Sequence, residues 1–152
     1  MQYIKVKTNR ELKLCLALRQ QVFVMEQGVP VEMEIDHYDG TPHECIHVLS
    51  IDKDGQAAAT GRLLSYDENT GKLQRIAVRQ DLRGSGVGRK IIKFLEQEVM
   101  HCGLHSVVLD AQCSAEGFYA KLGYATLSGE PFLDAGIWHV RMKKNFQFGD
   151  IR

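Results

Sequence analysis

The sequence predicts a single α/β (α+β) domain that covers residues 1–152. Three observations support this fold class. First, 152 residues suit one domain with one hydrophobic core, and no repeat, low-complexity tract or linker divides them. Second, segments with the two-residue periodicity of strands alternate with segments whose apolar residues have helical spacing. Third, residues 83–88, Arg-Gly-Ser-Gly-Val-Gly, join an alternating apolar strand directly to an amphipathic helix.

The first third of the chain predicts a strand, a helix and an acidic loop. Residues 2–6 alternate between apolar and polar side chains, as in a half-buried strand. Thr8 and Glu11 have the spacing of a capping box, and apolar residues at helical spacing follow it. We expect this helix to stop near the glycine and proline of residues 28–30. Residues 31–42 are acidic and irregular, and they predict a solvated loop over the sheet, with at most a short helix.

Six further strands are predicted from alternating or continuous apolar residues that are bounded by turn residues. They cover residues 45–51, 56–64, 73–78, 105–110, 124–127 and 137–142. Helical spacing predicts one helix over residues 87–99 and another over residues 114–122, which Gly123 ends. Residues 131–136 are predicted to bridge the last two strands, and residues 146–152 to form a loosely held tail.

Composition and charge exclude several classes of function. Nineteen basic and nineteen acidic residues balance, so bulk charge favours neither nucleic acid nor an acidic membrane as a partner. No apolar run could span a bilayer, and the N-terminus lacks the layout of a signal peptide. The four cysteines have no paired spacing, so we expect reduced thiols and a cytoplasmic protein. His43, Cys45 and His47 share one face of a predicted strand, but a zinc site needs a fourth ligand, and no metal is predicted.

The glycine-rich turn is the strongest candidate for a binding site. Gly84, Gly86 and Gly88 free the backbone of Cβ atoms where the next helix begins. The first amide N–H groups of that helix and the positive end of its dipole then face outwards together, which suits a phosphate or pyrophosphate. A glycine turn that only caps the helix is the alternative. Four basic residues cluster beside this turn: Arg83, Arg89, Lys90 and Lys93.

Two nucleotide-binding motifs do not fit the turn. The phosphate loop of NTPases needs Gly-Lys followed by Ser or Thr, whereas here Arg89 follows Gly88 and Ile91 follows Lys90. The dinucleotide fingerprint needs a third small residue where this chain has Arg89. Neither an NTPase nor a dinucleotide-binding protein is therefore the leading interpretation.

Arg83, Gly86 and Gly88 fill the fixed positions of the Arg/Gln-x-x-Gly-x-Gly/Ala signature, so the turn resembles that of the GNAT superfamily of N-acetyltransferases. A second region resembles the superfamily's Asn-x-x-Ala-x-x-Phe-Tyr-x-x-x-Gly-Phe motif, with glutamine in place of the asparagine. It comprises Gln112, Ala115, Phe118, Tyr119, Gly123 and Tyr124. Within the superfamily, the chain most resembles the ElaA-like branch. The residues that carry this resemblance are Arg19, Val22, Phe23, Glu26, Gln27 and residues 136–139. The resemblance implies a central mixed, mostly antiparallel sheet with a splay between two parallel strands and helices on both faces.

The resemblance also implies acetyl transfer from acetyl-CoA to a primary amine of a small molecule, by direct attack in a ternary complex. The turn would hold the pyrophosphate, the strand before it would pair with the pantetheine arm, and the Val78 amide would donate to the thioester oxygen. The residues implied to bind acetyl-CoA or CoA are Ile76, Ala77, Val78, Arg83, Gly84, Ser85, Gly86, Val87, Gly88, Arg89, Gln112, Phe118 and Tyr119.

Three residues are candidates for the chemistry. By resemblance, Tyr119 is the acid that protonates the leaving thiolate, since a phenol stays protonated at neutral pH; a core tyrosine is the alternative. His139 is one candidate base for the amine, because relatives that acetylate small acidic amines have a histidine at the matching place. Glu26, or a carboxylate of the acidic loop acting through water, is the competing base. An ordinary strand histidine is the alternative for His139.

The acceptor and the assembly stay open at this stage. Arg19, Arg62 and Arg75 could line the acceptor pocket and select a carboxylate or phosphate, or each could form a surface ion pair. Many members of the superfamily dimerise, which is compatible with a homodimer. Two competing functions remain: a catalytically weak acyl-CoA-binding module, and a nucleotide-binding protein that uses the same turn.

Overall fold

A computed structural model describes residues 1–127 and 129–146 of the chain. These residues form eight strands: β1 (Gln2–Lys5), β2 (Ile46–Ile51), β3 (Ala57–Ser65), β4 (Thr70–Val78), β5 (Ser106–Gln112), β6 (Ala125–Thr126), β7 (Phe132–Asp134) and β8 (Ile137–Asn145). The α-helices are α1 (Asn9–Arg19), α2 (Val31–Glu34), α3 (Val87–His101) and α4 (Glu116–Lys121). A π-helical segment (Gln20–Glu26) continues α1, and 3₁₀ turns cover His37–Asp39, Gln80–Leu82 and Cys113–Ala115.

The eight strands form one mixed sheet. Its order is β1-β2-β3-β4-β5-β8-β6, and β7 also pairs with β8. The pairs β1/β2, β2/β3, β5/β8, β6/β8 and β7/β8 are antiparallel, whereas β4 and β5 are parallel. The parallel ladder runs from Thr70–Ser106 to Leu73–Leu109, although β4 continues to Val78 and β5 to Gln112. This confirms the predicted α/β (α+β) class and its mostly antiparallel sheet with one parallel pair.

Contacts within the chain group its residues into two compact units. The first comprises Met1–Leu63 and Arg75–Leu95, and the second comprises Leu64–Gln74 and Glu96–Arg152. The single domain over residues 1–152 therefore stays a prediction, and the two units are described separately below.

The core of the first unit lies between α1, β1 and β2, with a second cluster at the end of β4. Val6, Leu12, Cys15 and Leu49 form one buried cluster, and Leu18, Val22 and Ala77 form the other. Gly61 on β3 permits a close approach of α3, because a Cβ atom there would lie 2.7 Å from Leu95 Cδ1. In the second unit, fully or almost fully buried residues come from the sheet, from the end of α3 and from the residue before β6: Val99, Val107, Leu109, Tyr124 and Met142.

The first helix begins as predicted but ends differently. The Thr8 hydroxyl accepts a hydrogen bond from the Glu11 amide at 3.1 Å, and the Glu11 carboxylate accepts one from the Thr8 amide at 3.2 Å, which confirms the capping box. After Arg19 the helix widens, and the Gln27 amide bonds the Val22 carbonyl, five residues back. Gly28 then stops the segment at a positive φ of 75°.

Strand β7 is the element that sequence reasoning missed. Residues 131–136 were predicted as a bridge, but Phe132–Asp134 pairs with β8 through a tight hairpin. The turn residues Ala135 and Gly136 have φ values of 50° and 78°, as a two-residue type I′ turn requires. Alanine rarely adopts this conformation, so the usual Asn-Gly or Asp-Gly signal is absent from the sequence. Of the predicted tail, the Phe146 amide bonds the His105 carbonyl, and residues 147–152 lie outside the described residues.

Two further observations concern the cysteines and the length of the helices. All four cysteines are free thiols, as predicted. Within residues 1–127 and 129–146, no helix combines the length and the apolar character needed to cross a bilayer.

Candidate functional site

The glycine loop that follows β4 presents unpaired amides. Gly84 and Gly86 have φ values of 81° and 91°, a region that favours glycine, so the loop depends on these residue types. Helix α3 begins at Val87, and its first internal hydrogen bond runs from the Lys90 amide to the Gly86 carbonyl. The amides of Gly86, Val87, Gly88 and Arg89 donate to no described residue. Four consecutive unpaired N–H groups at the positive end of a 15-residue helix are an arrangement that suits an anion.

The basic residues beside this loop differ in whether they already pair with an acidic side chain. Arg83 donates to both carboxylate oxygens of Glu26, at 2.8 and 2.9 Å, and to the Val78 carbonyl oxygen, at 3.1 and 3.0 Å. Arg89 and Lys90 are exposed and pair with no described residue. The positive charge available to an anion therefore comes from Arg89 and Lys90, whereas Glu26 neutralises that of Arg83.

Tyr119 lies on α4 in the second unit with a buried ring and an uncommitted hydroxyl. The ring makes edge-to-face contacts with Phe118, at 5.1 Å between centroids, and with Tyr124, at 5.8 Å. Its hydroxyl forms no hydrogen bond with any described residue. Burial raises the pKa of Tyr119 well above its ordinary value of 10, so the phenol stays protonated across the neutral range.

His139 on β8 is held in one tautomer. Its Nδ1 lies 2.7 Å from the Ile137 carbonyl oxygen, which can only accept, so Nδ1 carries the proton and Nε2 has the free lone pair in the neutral ring. The ring stacks on Phe132 at 6.0 Å and 22°. Gln112 is the register partner of His139 on the neighbouring strand β5. An open groove beside Phe132 is lined by Leu127, Gly129, Glu130, Phe132, Val140 and Arg141.

The predicted site residues thus fall into two sets. Glu26, residues 76–78 and residues 83–89 belong to the first unit; Gln112, Phe118, Tyr119 and His139 belong to the second. The structure brings Glu26 to Arg83, Phe118 to Tyr119, and Gln112 to His139.

A buried ion-pair cluster in the first unit corrects the interpretation of the arginines and the acidic loop. Arg19 donates to Glu34 and to Asp39 at 2.7 Å, and the side chains of all three are at most 2% exposed. Arg62, equally buried, donates to Asp39 at 2.9 Å and to Asp36 at 2.7 Å. Arg19 and Arg62 are therefore neither surface ion pairs nor open to a ligand. The loop is not simply solvated, since two of its carboxylates are buried.

A sequence signal for this cluster existed. Arg19 lies four residues after Cys15 and three before Val22, on the face of the helix that faces the core. A charged residue on such a face requires a buried partner of opposite charge, and the acidic loop is the nearest source. Arg75 joins the cluster from β4, where its φ is 55°, and its Nε donates to the Glu34 carbonyl oxygen at 3.1 Å.

The cluster predicts a loss of stability in acid. Burial by itself raises the pKa of the Asp39 carboxyl, but the hydrogen bonds and charge of Arg19 outweigh it and lower the pKa from 3.8 to about 2. A pKa below that of the unfolded chain stabilises the fold above pH 3.8, and this contribution is lost as the pH falls through about 2. Urea midpoints measured between about pH 5 and about pH 2 should therefore fall steadily, and they should fall less in Asp39→Asn. Equal slopes for the two proteins would contradict the assignment.

The histidine–cysteine set does not form a metal centre. Cys45 Sγ lies 3.4 Å from His47 Nε2, but that nitrogen also lies 3.0 Å from the Tyr38 carbonyl oxygen. Burial lowers the pKa of His47 and raises that of Cys45 to about 11, so the thiol is not poised as a ligand. In the part of the chain that the structure describes, no group of three or more potential ligands could hold a metal ion.

Comparison with known proteins identifies relatives that are similar in sequence and fold. A family model described as "Acetyltransferase (GNAT) domain" matches residues 30–146. The uncharacterized N-acetyltransferase YjcF of Bacillus subtilis (strain 168) is 40% identical over 145 residues, which cover 95% of this chain and all of that protein. The crystal structure of Escherichia coli ElaA has a TM-score of 0.83 and 26% identity, over 95% of this chain and 99% of that one. An acyl-CoA N-acyltransferase from Pseudomonas aeruginosa has a TM-score of 0.80 and 28% identity, over 94% and 98%. These matches confirm the resemblance and the fold that the two sequence motifs predicted.

Proposed function

Because the chain belongs to the GNAT family of acetyltransferases, we propose that it transfers an acetyl group from acetyl-CoA to a primary amine of a small molecule. The amine would attack the thioester carbonyl directly in a ternary complex, forming the C–N bond as the C–S bond breaks. The four free cysteines are compatible with the reducing cytoplasm as the place of this reaction.

The observation that carries the proposal is the row of unpaired amides from Gly86 to Arg89. A diphosphate accepts several hydrogen bonds and carries charge, so it suits these N–H groups together with the Arg89 guanidinium. The second half of β4, Ile76–Ala77–Val78, lies beyond the last register pair with β5. Its backbone is proposed to pair with the pantetheine arm, and the Val78 amide to donate to the thioester oxygen.

Residues of the second unit are proposed to move the protons. Tyr119 has a protonated hydroxyl without a hydrogen-bond partner among the described residues, and it would donate to the departing thiolate. His139 presents Nε2 with its lone pair and would take a proton from the amine. Gln112 and Phe118 are proposed to contact the coenzyme next to these groups. The groove beside Phe132 is the proposed place of the acceptor, since Phe132 also fixes the His139 ring.

Coenzyme binding tests the loop directly. Gly86→Ala should weaken CoA binding by about tenfold or more, because alanine is strained at a φ of 91° and the amides shift. Gly55→Ala is the matched control: Gly55 has a φ of 77° in the β2–β3 hairpin, and a Cβ at either glycine meets nothing within 4 Å. Both variants should lose similar stability in urea, and only Gly86→Ala should lose affinity by isothermal calorimetry.

Turnover with a panel of amines then separates the candidate functions. Release of free thiol from acetyl-CoA with at least one amine supports the transferase. Tight CoA binding without thiol release for any amine would support the acyl-CoA-binding module instead. A wild-type protein that binds neither CoA nor acetyl-CoA would contradict both.

A further inference from the structure

The Arg83 side chain ties the glycine loop to two other parts of the first unit. One edge of its guanidinium faces both oxygens of Glu26, which ends the π-helical segment and lies 57 positions earlier in the chain. The other edge contacts the carbonyl oxygen of Val78, the last residue of β4. The contact to Glu26 is a parallel, two-bond ion pair, the geometry that best fixes an arginine in place.

The rest of the loop is held only by short-range bonds. Between residues 80 and 86, the hydrogen bonds within the described chain are local, such as Leu82 to Arg79, Arg83 to Gln80 and Ser85 to Leu82. Arg83 makes the exception, through its bond to Glu26. Among the described residues, removal of that ion pair would leave residues 80–86 without a hydrogen bond to a distant part of the chain.

The pair also limits what Arg83 and Glu26 can do chemically. Of the five N–H groups of a guanidinium, four face Val78 or Glu26 in this arrangement, so little of Arg83 is left for an incoming anion. Both oxygens of Glu26 accept hydrogen bonds from Arg83, so the whole carboxylate is engaged by the loop while the pair is closed.

We propose that Glu26 is a positioning residue of the anion cradle, which is the glycine loop with the unpaired amides of residues 86–89, and that Glu26 is not the base. Its carboxylate holds Arg83, and Arg83 fixes the glycine loop to the end of β4. A loop held in its binding conformation before the ligand arrives loses less conformational entropy on binding. Glu26 then sets the affinity for the coenzyme, while the rate of proton transfer depends on other groups. This inference rests on the proposed function only for the identity of the anion.

The test is a set of four variants: Glu26→Gln, Arg83→Gln, the double variant, and Asp81→Asn as the matched control. Asp81 lies in the same turn and forms an ion pair with Arg79 at 2.7 Å, whereas the Arg83 side chain bonds Glu26 and Val78. Hydrogen exchange at the hydrogen-bonded amides of Leu82, Arg83 and Ser85 in the unliganded protein should be faster in the first three variants and unchanged in Asp81→Asn. Calorimetry should find CoA affinity weakened about threefold to tenfold in each single variant. The double variant should lose no more than Arg83→Gln, since the contact with Glu26 is already absent in that single variant.

Kinetics separate positioning from catalysis. For Glu26→Gln, the KM for acetyl-CoA should rise about threefold to tenfold while kcat stays within about twofold of the wild type. A fall in kcat of about a hundredfold or more with unchanged CoA affinity would overturn the proposal and make Glu26 the base. Unchanged exchange and affinity in Glu26→Gln would overturn it as well. If the wild type binds CoA but acetylates no amine, the proposed transferase fails, while exchange and calorimetry still decide the role of Glu26.

Discussion

Tyr119→Phe should lower kcat by about 10²- to 10⁴-fold, the usual loss when a general acid is removed. The hydroxyl has no hydrogen-bond partner among the described residues, so its only proposed role is to donate a proton to the leaving thiolate. The phenylalanine ring keeps the edge-to-face contacts with Phe118 and Tyr124. We therefore expect the free energy of unfolding to change by no more than about 0.5 kcal/mol and CoA affinity to stay close to that of the wild type.

Tyr124→Phe is the matched control for this experiment. The Tyr124 hydroxyl is buried and donates to Glu96 at 2.7 Å, and Glu96 also pairs with Lys144 at 3.1 Å. Loss of that bond should cost about 1–3 kcal/mol of stability and leave kcat intact. The two variants should thus show opposite profiles in steady-state kinetics and urea unfolding. A Tyr119→Phe enzyme with wild-type kcat would remove Tyr119 from the mechanism.

Arg19→Met should lower the free energy of unfolding by about 3–5 kcal/mol, because it leaves the buried carboxylates of Glu34 and Asp39 without their main partner. Methionine fills much of the same volume but offers no donor. Arg62 still reaches Asp39, but Glu34 Oε2 already lacks a hydrogen bond in the intact cluster, and Glu34 Oε1 would lose its shortest one. Chemical unfolding at pH 7 would measure the loss.

Arg141→Met provides the comparison at a more exposed site. Arg141 also binds a carboxylate with two bonds, to Asp110 at 2.8 and 3.1 Å, but its side chain is 35% exposed. Water can solvate what the substitution leaves behind, so this variant should lose about 1 kcal/mol or less. In Arg19→Met, conversion of Glu34 and Asp39 to glutamine and asparagine should recover part of the stability, since the uncompensated charges are then removed. Equal losses for the two arginine variants would contradict the assigned role of burial.

Several elements could be predicted because their causes are local. The capping box of α1 needs only Thr8 and Glu11 at the correct spacing, and the glycine loop needs only Gly84 and Gly86 at positive φ. The parallel pair and the mostly antiparallel sheet followed from the resemblance to the family. Strand β7 escaped prediction because Ala135 adopts a conformation that its residue type rarely favours.

The amino-acid sequence by itself determined the loop that begins α3, the family, and the order of the main helices and strands except β7, because turn conformation, periodicity and motif spacing are all properties of neighbouring residues. Only the tertiary structure decided which charged side chains form ion pairs and which of these pairs are buried. Arg19 meets Asp39 across 20 positions and Arg83 meets Glu26 across 57. Helical spacing indicates that Arg19 needs a buried acidic partner, but no local pattern specifies which carboxylate meets which arginine. The Arg19–Asp39 pair is buried and therefore forms an internal ion pair. The Arg83–Glu26 pair leaves Arg83 without a free positive charge, so the charge beside the glycine loop depends on a long-range contact.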